Sequence, residues 1–236
     1  MNKKLIFKLC AVVNLLSGIV ILFSVLAPMV SYELVANQRY PLLLSPLAEK
    51  SNYQKPNGSD YTKASNWFIG DDEKDFITQK VKFFTISIPK LRIDNARVAI
   101  GGEDLSDNLV QYPGTGLPGK IGNSVIFGHS ILPIFYDPQK YISIFSTLNK
   151  LDKGDEIFVN YDGISYKYQV ENMFEVKPSD IQILEQTTSH SILSLVTCTP
   201  MGDPRKPKRL IVRSRLVPLE AGRPNVPMQA NANIGY

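Results

Sequence analysis

Cysteine and histidine are scarce in this chain, with two of each among 236 residues. One disulfide at most could form, and Cys10 lies inside an apolar run where a thiol of a globular domain could not reach it. Cys198 is therefore expected to be unpaired. Strong net charge is lacking as well. The formal +4 comes largely from Lys3, Lys4, Lys8 and a basic cluster at 205–215, not from the extended basic face that nucleic acid needs, so no nucleic-acid partner is expected. No internal repeat is visible, and after Val30 no uncharged apolar run is long enough to cross a membrane. With 44% hydrophobic residues the chain has enough apolar material for one real core plus appendages.

The one long apolar run is at the N-terminus. Leu9–Val30 is 22 residues without a charge, about 33 Å as a helix against a hydrocarbon core of about 30 Å. A cleavable signal peptide would have a shorter apolar region and a small-x-small cleavage site, and none is obvious near Val25-Leu26-Ala27-Pro28. An uncleaved signal anchor is the expectation. Lys3, Lys4 and Lys8 precede the run and the first acidic residue is Glu33. Residues 1–8 are then cytoplasmic, residues 9–30 span the membrane, and everything after them is extracytoplasmic.

Residues 31–80 are punctuated by Pro41, Pro46, Pro56, Asn57-Gly58-Ser59-Asp60 and Gly70-Asp71-Asp72, and read as a stalk or lid. A short helix is conceivable around 46–52, and the apolar triplet Trp67-Phe68-Ile69 is expected to dock on the domain. Residues 81–218 form that domain. Short apolar or alternating runs predict strands over 83–89, 96–100, 123–129, 156–161, 164–175, 192–198 and 209–217, within a total of about eight. Asp162-Gly163 marks a type I′ hairpin. Short helices are predicted over 141–151 and 178–184. The fold class is all-β, a barrel or sandwich with small helices. Residues 219–236 carry no aliphatic pattern and read as a disordered tail.

Cys198 ends one predicted strand, and Arg209 opens the next across the connection 199–208. A lone thiol is more often an inert buried residue than a nucleophile. Its neighbours decide. Antiparallel pairing puts Arg209 nearest the thiol, while Arg213 sits four residues on, about 13 Å further away. Arg209, Ile211, Arg213 and Arg215 share one strand face; Leu210 and Val212 share the other. His190 precedes Cys198 on the same predicted strand by eight residues, about 26 Å if extended. His129 ends a different buried strand, after Gly128, and is the better candidate for a base. Thiolate, imidazole and guanidinium together suit acyl transfer: attack on a carbonyl, proton transfer to the leaving amine, and steadying of the oxyanion.

Those residues carry a resemblance to a known family. Ser194-Leu195-Val196-Thr197-Cys198 resembles the sortase signature Thr-Leu-x-Thr-Cys, with Ser for the first Thr. Tyr112-Pro113-Gly114-Thr115 and Phe127-Gly128-His129-Ser130 resemble the segment leading to the sortase histidine, and Lys208-Arg209-Leu210-Ile211-Val212 the strand of its arginine. The resemblance implies a closed eight-stranded β-barrel and a membrane-bound cysteine transpeptidase. Cys198, His129 and Arg209 would be catalytic, with Thr197 lining the substrate groove or oxyanion site. Surface proteins bearing a C-terminal Leu-Pro-x-Thr-Gly-like sorting signal would be cleaved after Thr through a thioester at Cys198. The acyl group would pass to an amine on a cell-wall precursor or a pilin lysine. Subclass stays undecided. The run Thr197–Gly202 is similar to pilus-building sortases, whereas 67–75 lacks their Asp-Pro-aromatic lid motif and no C-terminal span follows. Glu171, Glu175, Asp180 and Glu185 are read as scattered, solvated carboxylates, so neither metal nor cofactor is expected. A tethered β-barrel binding module without turnover is the competing reading. An L,D-transpeptidase is a weaker one, since it would place a histidine just before the cysteine.

Overall fold

A computed structural model describes residues 3–42, 61–63, 67 and 83–218. Eight strands close into one barrel: β1 (Phe83–Ile88), β2 (Ile93–Ile100), β3 (Leu109–Gln111), β4 (Gly122–Phe127), β5 (Glu156–Tyr161), β6 (Ile164–Val176), β7 (Ser191–Thr199) and β8 (Lys208–Leu216). Around the wall the order is β1-β2-β3-β4-β7-β8-β6-β5. β2–β3 and β4–β7 are parallel pairs and the others are antiparallel. Closure removes the unpaired edges that an open sheet of this size would expose.

The strand missing from the sequence reading is β3. It has three residues and no alternation, because Leu109, Val110 and Gln111 are all buried. The β5–β6 hairpin is as expected: Tyr161 pairs with Ile164 around Asp162 and Gly163, both at positive φ. The two predicted helices are not α-helical. Residues 141–147 are turns, followed by a 3-10 turn at Leu148–Lys150, and only Ile181–Leu184 of the second segment is helical, again 3-10. In the first segment the amide of Phe145 donates to the His129 carbonyl at 3.0 Å, which diverts a bond an α-helix would need. Ser143 likewise binds the carbonyls of Asp137 and Lys140.

Alternation along the strands builds two apolar clusters. The barrel interior holds Ile86, Val98, Ile126, Val159, Tyr168, Leu193, Leu195, Leu210 and Val212. The other face of β4, β7, β8 and β6 carries Val125, Phe127, Val196, Cys198, Ile211, Phe174 and Val176 under Trp67, Leu105 and Ile183. Burial on both faces explains why β4 and β7 read as continuous apolar runs.

α1 (Lys3–Arg39) continues nine residues past the predicted end of the span at Val30. Its stretch from Phe7 to Ala36 is long and apolar enough to cross a membrane, consistent with a single-pass anchor. The C-terminal turns of α1 dock on the barrel. Ala36 and Tyr40 join the interior cluster, and Tyr40 donates to the Asn149 carbonyl at 2.8 Å. Arg39 pairs with Asp152. The conceivable helix at 46–52, Phe68 and Ile69 of the docking triplet, most of the lid-like stretch 67–75 and the tail 219–236 lie outside the described residues.

Candidate active site

β7 lies between β4 and β8, and its C-terminal end carries Cys198. On one side Cys198 is the direct antiparallel partner of Arg209, so both side chains leave the same face with Cα atoms about 5 Å apart. On the other side Phe127 pairs in parallel with Val196. Continuing that register sets Gly128 against Thr197 and His129 against Cys198. Three hydrogen bonds hold it: Gly128 N–H to the Val196 carbonyl (3.1 Å), Thr197 Oγ1 to the Gly128 carbonyl (2.9 Å) and Ser130 Oγ to the Cys198 carbonyl (2.8 Å). His129, two residues past the end of β4, therefore stands beside Cys198 on β7, which in turn stands beside Arg209 on β8. Position 128 has to be glycine, since a Cβ there would lie 2.4 Å from the Phe145 ring and 2.6 Å from Leu109.

The other sequence candidates lie elsewhere. His190 is exposed just before β7, at the strand end opposite Cys198. Arg213 pairs with Ser194, four residues from the thiol, with its guanidinium 5.2 Å over the Phe174 ring. Burial pulls the pKa of Arg213 below its usual value, with Glu171 opposing. Thr197 is fully buried, and its hydroxyl donates to the Gly128 carbonyl just before His129.

All three candidate catalytic residues are covered: His129 is 3%, Cys198 2% and Arg209 0% exposed. The cover is Trp67. Its ring stacks on Phe127 at 5.2 Å and lies 6.0 Å from the His129 ring, with the Arg209 guanidinium 5.3 Å above it. Trp67 Nε1 donates to the Tyr61 carbonyl at 2.9 Å, and the Thr62 carbonyl accepts from Leu105 N–H, so the segment is tied to the barrel. Arg209 gives Nη1 to the carbonyls of Lys206 (2.9 Å) and Lys208 (3.0 Å) and Nη2 to the Trp67 carbonyl (3.0 Å); among the described residues Nε has no partner. The guanidinium thus already holds a peptide carbonyl beside a thiol and an imidazole, three groups whose chemistry suits acyl transfer.

A family model for the sortase domain matches residues 86–217, which contain the barrel from Ile86 in β1 to the end of β8. The chain belongs to the sortase family. It is 32% identical over 139 residues to sortase A of Streptococcus agalactiae, covering 56% of this chain and 51% of that protein. The chain thus spans about half the length of that curated relative. Among solved sortases, the lid mutant of sortase A from Corynebacterium diphtheriae superposes with a TM-score of 0.52 at 27% identity, covering 63% of this chain and 77% of that one. Sortase C1 of S. agalactiae gives 0.51 at 30% identity, covering 61% and 72%. Sortases named A and C match about equally, so the fold does not single out a subclass. The sortase barrel here also buries two carboxylates that the sequence reading left in solvent. Glu175 is 1% and Asp180 3% exposed. Glu175 Oε1 accepts from Tyr32 Oη (2.7 Å) and Thr199 Oγ1 (3.0 Å), and Oε2 pairs with Lys208 Nζ at 3.1 Å. No sequence signal isolates Glu175, because its partners come from three distant segments. Among the described residues no three His, Cys, Asp or Glu side chains converge as metal ligands would.

Proposed function

We propose that this sortase is a membrane-anchored cysteine transpeptidase that cleaves a Leu-Pro-x-Thr-Gly-like sorting signal between Thr and Gly. Cys198 Sγ attacks the Thr carbonyl carbon, and His129 delivers a proton to the departing Gly amine, which leaves a thioester on Cys198. An acceptor amine, on a cell-wall precursor or a pilin lysine, then attacks the thioester. His129 takes its proton, an amide forms and the thiolate is released. Arg209 holds the oxyanion at both stages, using the Nη2 that otherwise binds the Trp67 carbonyl. The observation that carries this reading is the alignment of His129, just past the end of β4, with Cys198 on β7 and Arg209 on β8, the guanidinium already bound to a peptide carbonyl. Thr197 contributes through the backbone, by fixing Gly128 and with it the histidine.

Tyr61–Lys63 and Trp67 act as a lid. They bury the thiol, so substrate enters only when this segment leaves. α1 holds the enzyme in the membrane with its N-terminus cytoplasmic and the barrel outside. The test is incubation of the protein with a sorting-signal peptide and an amine. The amide product and an acyl-enzyme mass on Cys198 are expected, and Cys198→Ala gives neither. Product formation by that variant, or no acyl-enzyme with any Leu-Pro-x-Thr-Gly peptide, would sink the mechanism.

A further inference from the structure

α1 is one unbroken helix of 37 residues, about 55 Å long, against a hydrocarbon core of about 30 Å. The uncharged stretch 9–30 fills that core, so residues 31–39 emerge through the headgroups. The barrel grips the helix at that level. Tyr32 reaches Glu175, Glu33 reaches Lys208 at 3.2 Å, and Ala36 is buried. Contact begins lower still: Pro28, Ser31 and Val35 of α1 line one cavity of about 260 Å³ together with Pro133 and Met201 of the barrel. A barrel loop that shares a cavity with Pro28 lies at the depth where the helix leaves the lipid.

That loop ends in Ile134 and Phe135, which are 64% and 63% exposed. They are adjacent on a 3-10 turn (Pro133–Phe135), whereas the other exposed large apolar side chains described on the barrel, such as Ile121 and Ile164, have no such neighbour in sequence. Val35 of α1, itself exposed, lines the same cavity as Pro133 at the start of that turn. The turn is rigid and largely self-satisfied. Phe135 N–H donates to the Leu132 carbonyl (2.9 Å), Tyr136 N–H to that of Pro133 (3.2 Å), and Tyr136 Oη to Leu91. Its backbone can thus enter a layer poor in water without leaving these donors unpaired.

We propose that the Ile131–Tyr136 loop is a second membrane contact, with Ile134 and Phe135 inserted at the headgroup–acyl boundary of the bilayer that α1 crosses. The loop follows directly on His129 and Ser130, so the candidate active site is held at a fixed height over the lipid surface. The inference rests on the anchoring reading of α1 and not on the chemistry at Cys198. The test reconstitutes the full chain into phospholipid vesicles whose acyl chains carry a diazirine near the glycerol, followed by irradiation and mass-spectrometric mapping of lipid adducts. Adducts are expected on α1 and on 131–136, and none on the 161–164 hairpin, which lies at the far end of β6 from Glu175. An Ile134→Ser/Phe135→Ser variant should lose the loop adducts and keep those on α1. Adducts on α1 without any on the loop overturn the proposal, and so does protection of the loop by a second copy, seen as a chain-to-chain crosslink there. Absence of adducts from α1 itself would instead refute the anchor.

Discussion

Replacing Glu175 should cost more than any other carboxylate described on the barrel. In Glu175→Ala, the Tyr32 and Thr199 hydroxyls lose their common acceptor, and the Lys208 ammonium, 19% exposed, keeps only Glu33. Breaking a buried ion pair on one side costs about 3–5 kcal/mol. Glu33 is half-exposed and still within 3.2 Å of Lys208, which argues for the lower end, about 3 kcal/mol. For a domain of this size that is a fall in Tm of about 6–12 °C. Glu175→Gln retains an acceptor for the two hydroxyls but no charge, and should lose about 2 kcal/mol; Tyr32→Phe, which removes one bond to a carboxylate, about 1.5 kcal/mol. Thermal unfolding of the three full-length variants in one detergent would report the order Ala, Gln, then Tyr32→Phe. Transpeptidation should fall in Glu175→Ala too, because Thr199 follows Cys198 and Lys208 precedes Arg209. A Glu175→Ala protein no less stable than Tyr32→Phe would refute the claim that this carboxylate ties the strand ends together.

Trp67→Ala should raise kcat/KM for a sorting-signal peptide and speed alkylation of Cys198, because it removes the ring that covers the site; unchanged alkylation would count against the lid. Arg209→Ala should lower kcat by at least about 100-fold, as loss of an oxyanion donor does, while Arg213→Ala, whose position is four residues away, stays close to the unsubstituted enzyme in the same peptide assay. Equal losses would reject the assigned roles. The hydrogen bond from Arg205 holds Asp203 below the usual carboxylate pKa against the opposing effect of burial, aided by the Arg205 amide and charge. Its folded pKa is the lower one, so its stabilisation is present above about pH 4 and disappears as pH falls through that folded value. The Tm gap between the unsubstituted protein and Asp203→Asn should accordingly be wide near neutral pH and close in acid; a gap that widens in acid would reverse the sign.

What the sequence conveyed was local. The Cys198–Arg209 pairing follows from a hairpin of two apolar runs, and the preference for His129 over His190 from strand length alone. The apolar character of Trp67 in a polar stretch was enough to predict that it docks. The solvated reading of Glu175 failed because periodicity sees one strand at a time. On β6, Glu175 sits between Phe174 and Val176 and looks like the polar half of an alternation. Its face is the barrel interior, where α1, β7 and β8 deliver Tyr32, Thr199 and Lys208. β3 failed for the opposite reason: three residues buried on both sides show no alternation, and pairing with β2 and β4 defines the strand.

The anchor and the candidate site are joined by short, specific contacts. Glu175 accepts from Tyr32 of the membrane helix and from Thr199, the residue after the thiol; its backbone N–H binds the Pro41 carbonyl where α1 has ended. Lys208, between Glu33 and Glu175, is the residue before Arg209. Burial by itself would lower the pKa of Lys208, but the hydrogen bond and charge of Glu175, then those of Glu33, outweigh it and raise it. The ammonium therefore keeps its proton throughout the neutral pH range. One buried cluster thus fixes the ends of β7 and β8 that carry Cys198 and Arg209, and docked α1 completes it through Tyr32 and Glu33. Cutting the chain after Arg39 removes Tyr32, Glu33 and Ala36 together, so a fragment that starts beyond α1 should unfold at lower temperature than the full chain. Part of that loss should be reproduced in the intact anchor by Tyr32→Phe combined with Glu33→Gln, and none of it by substitutions within 9–27.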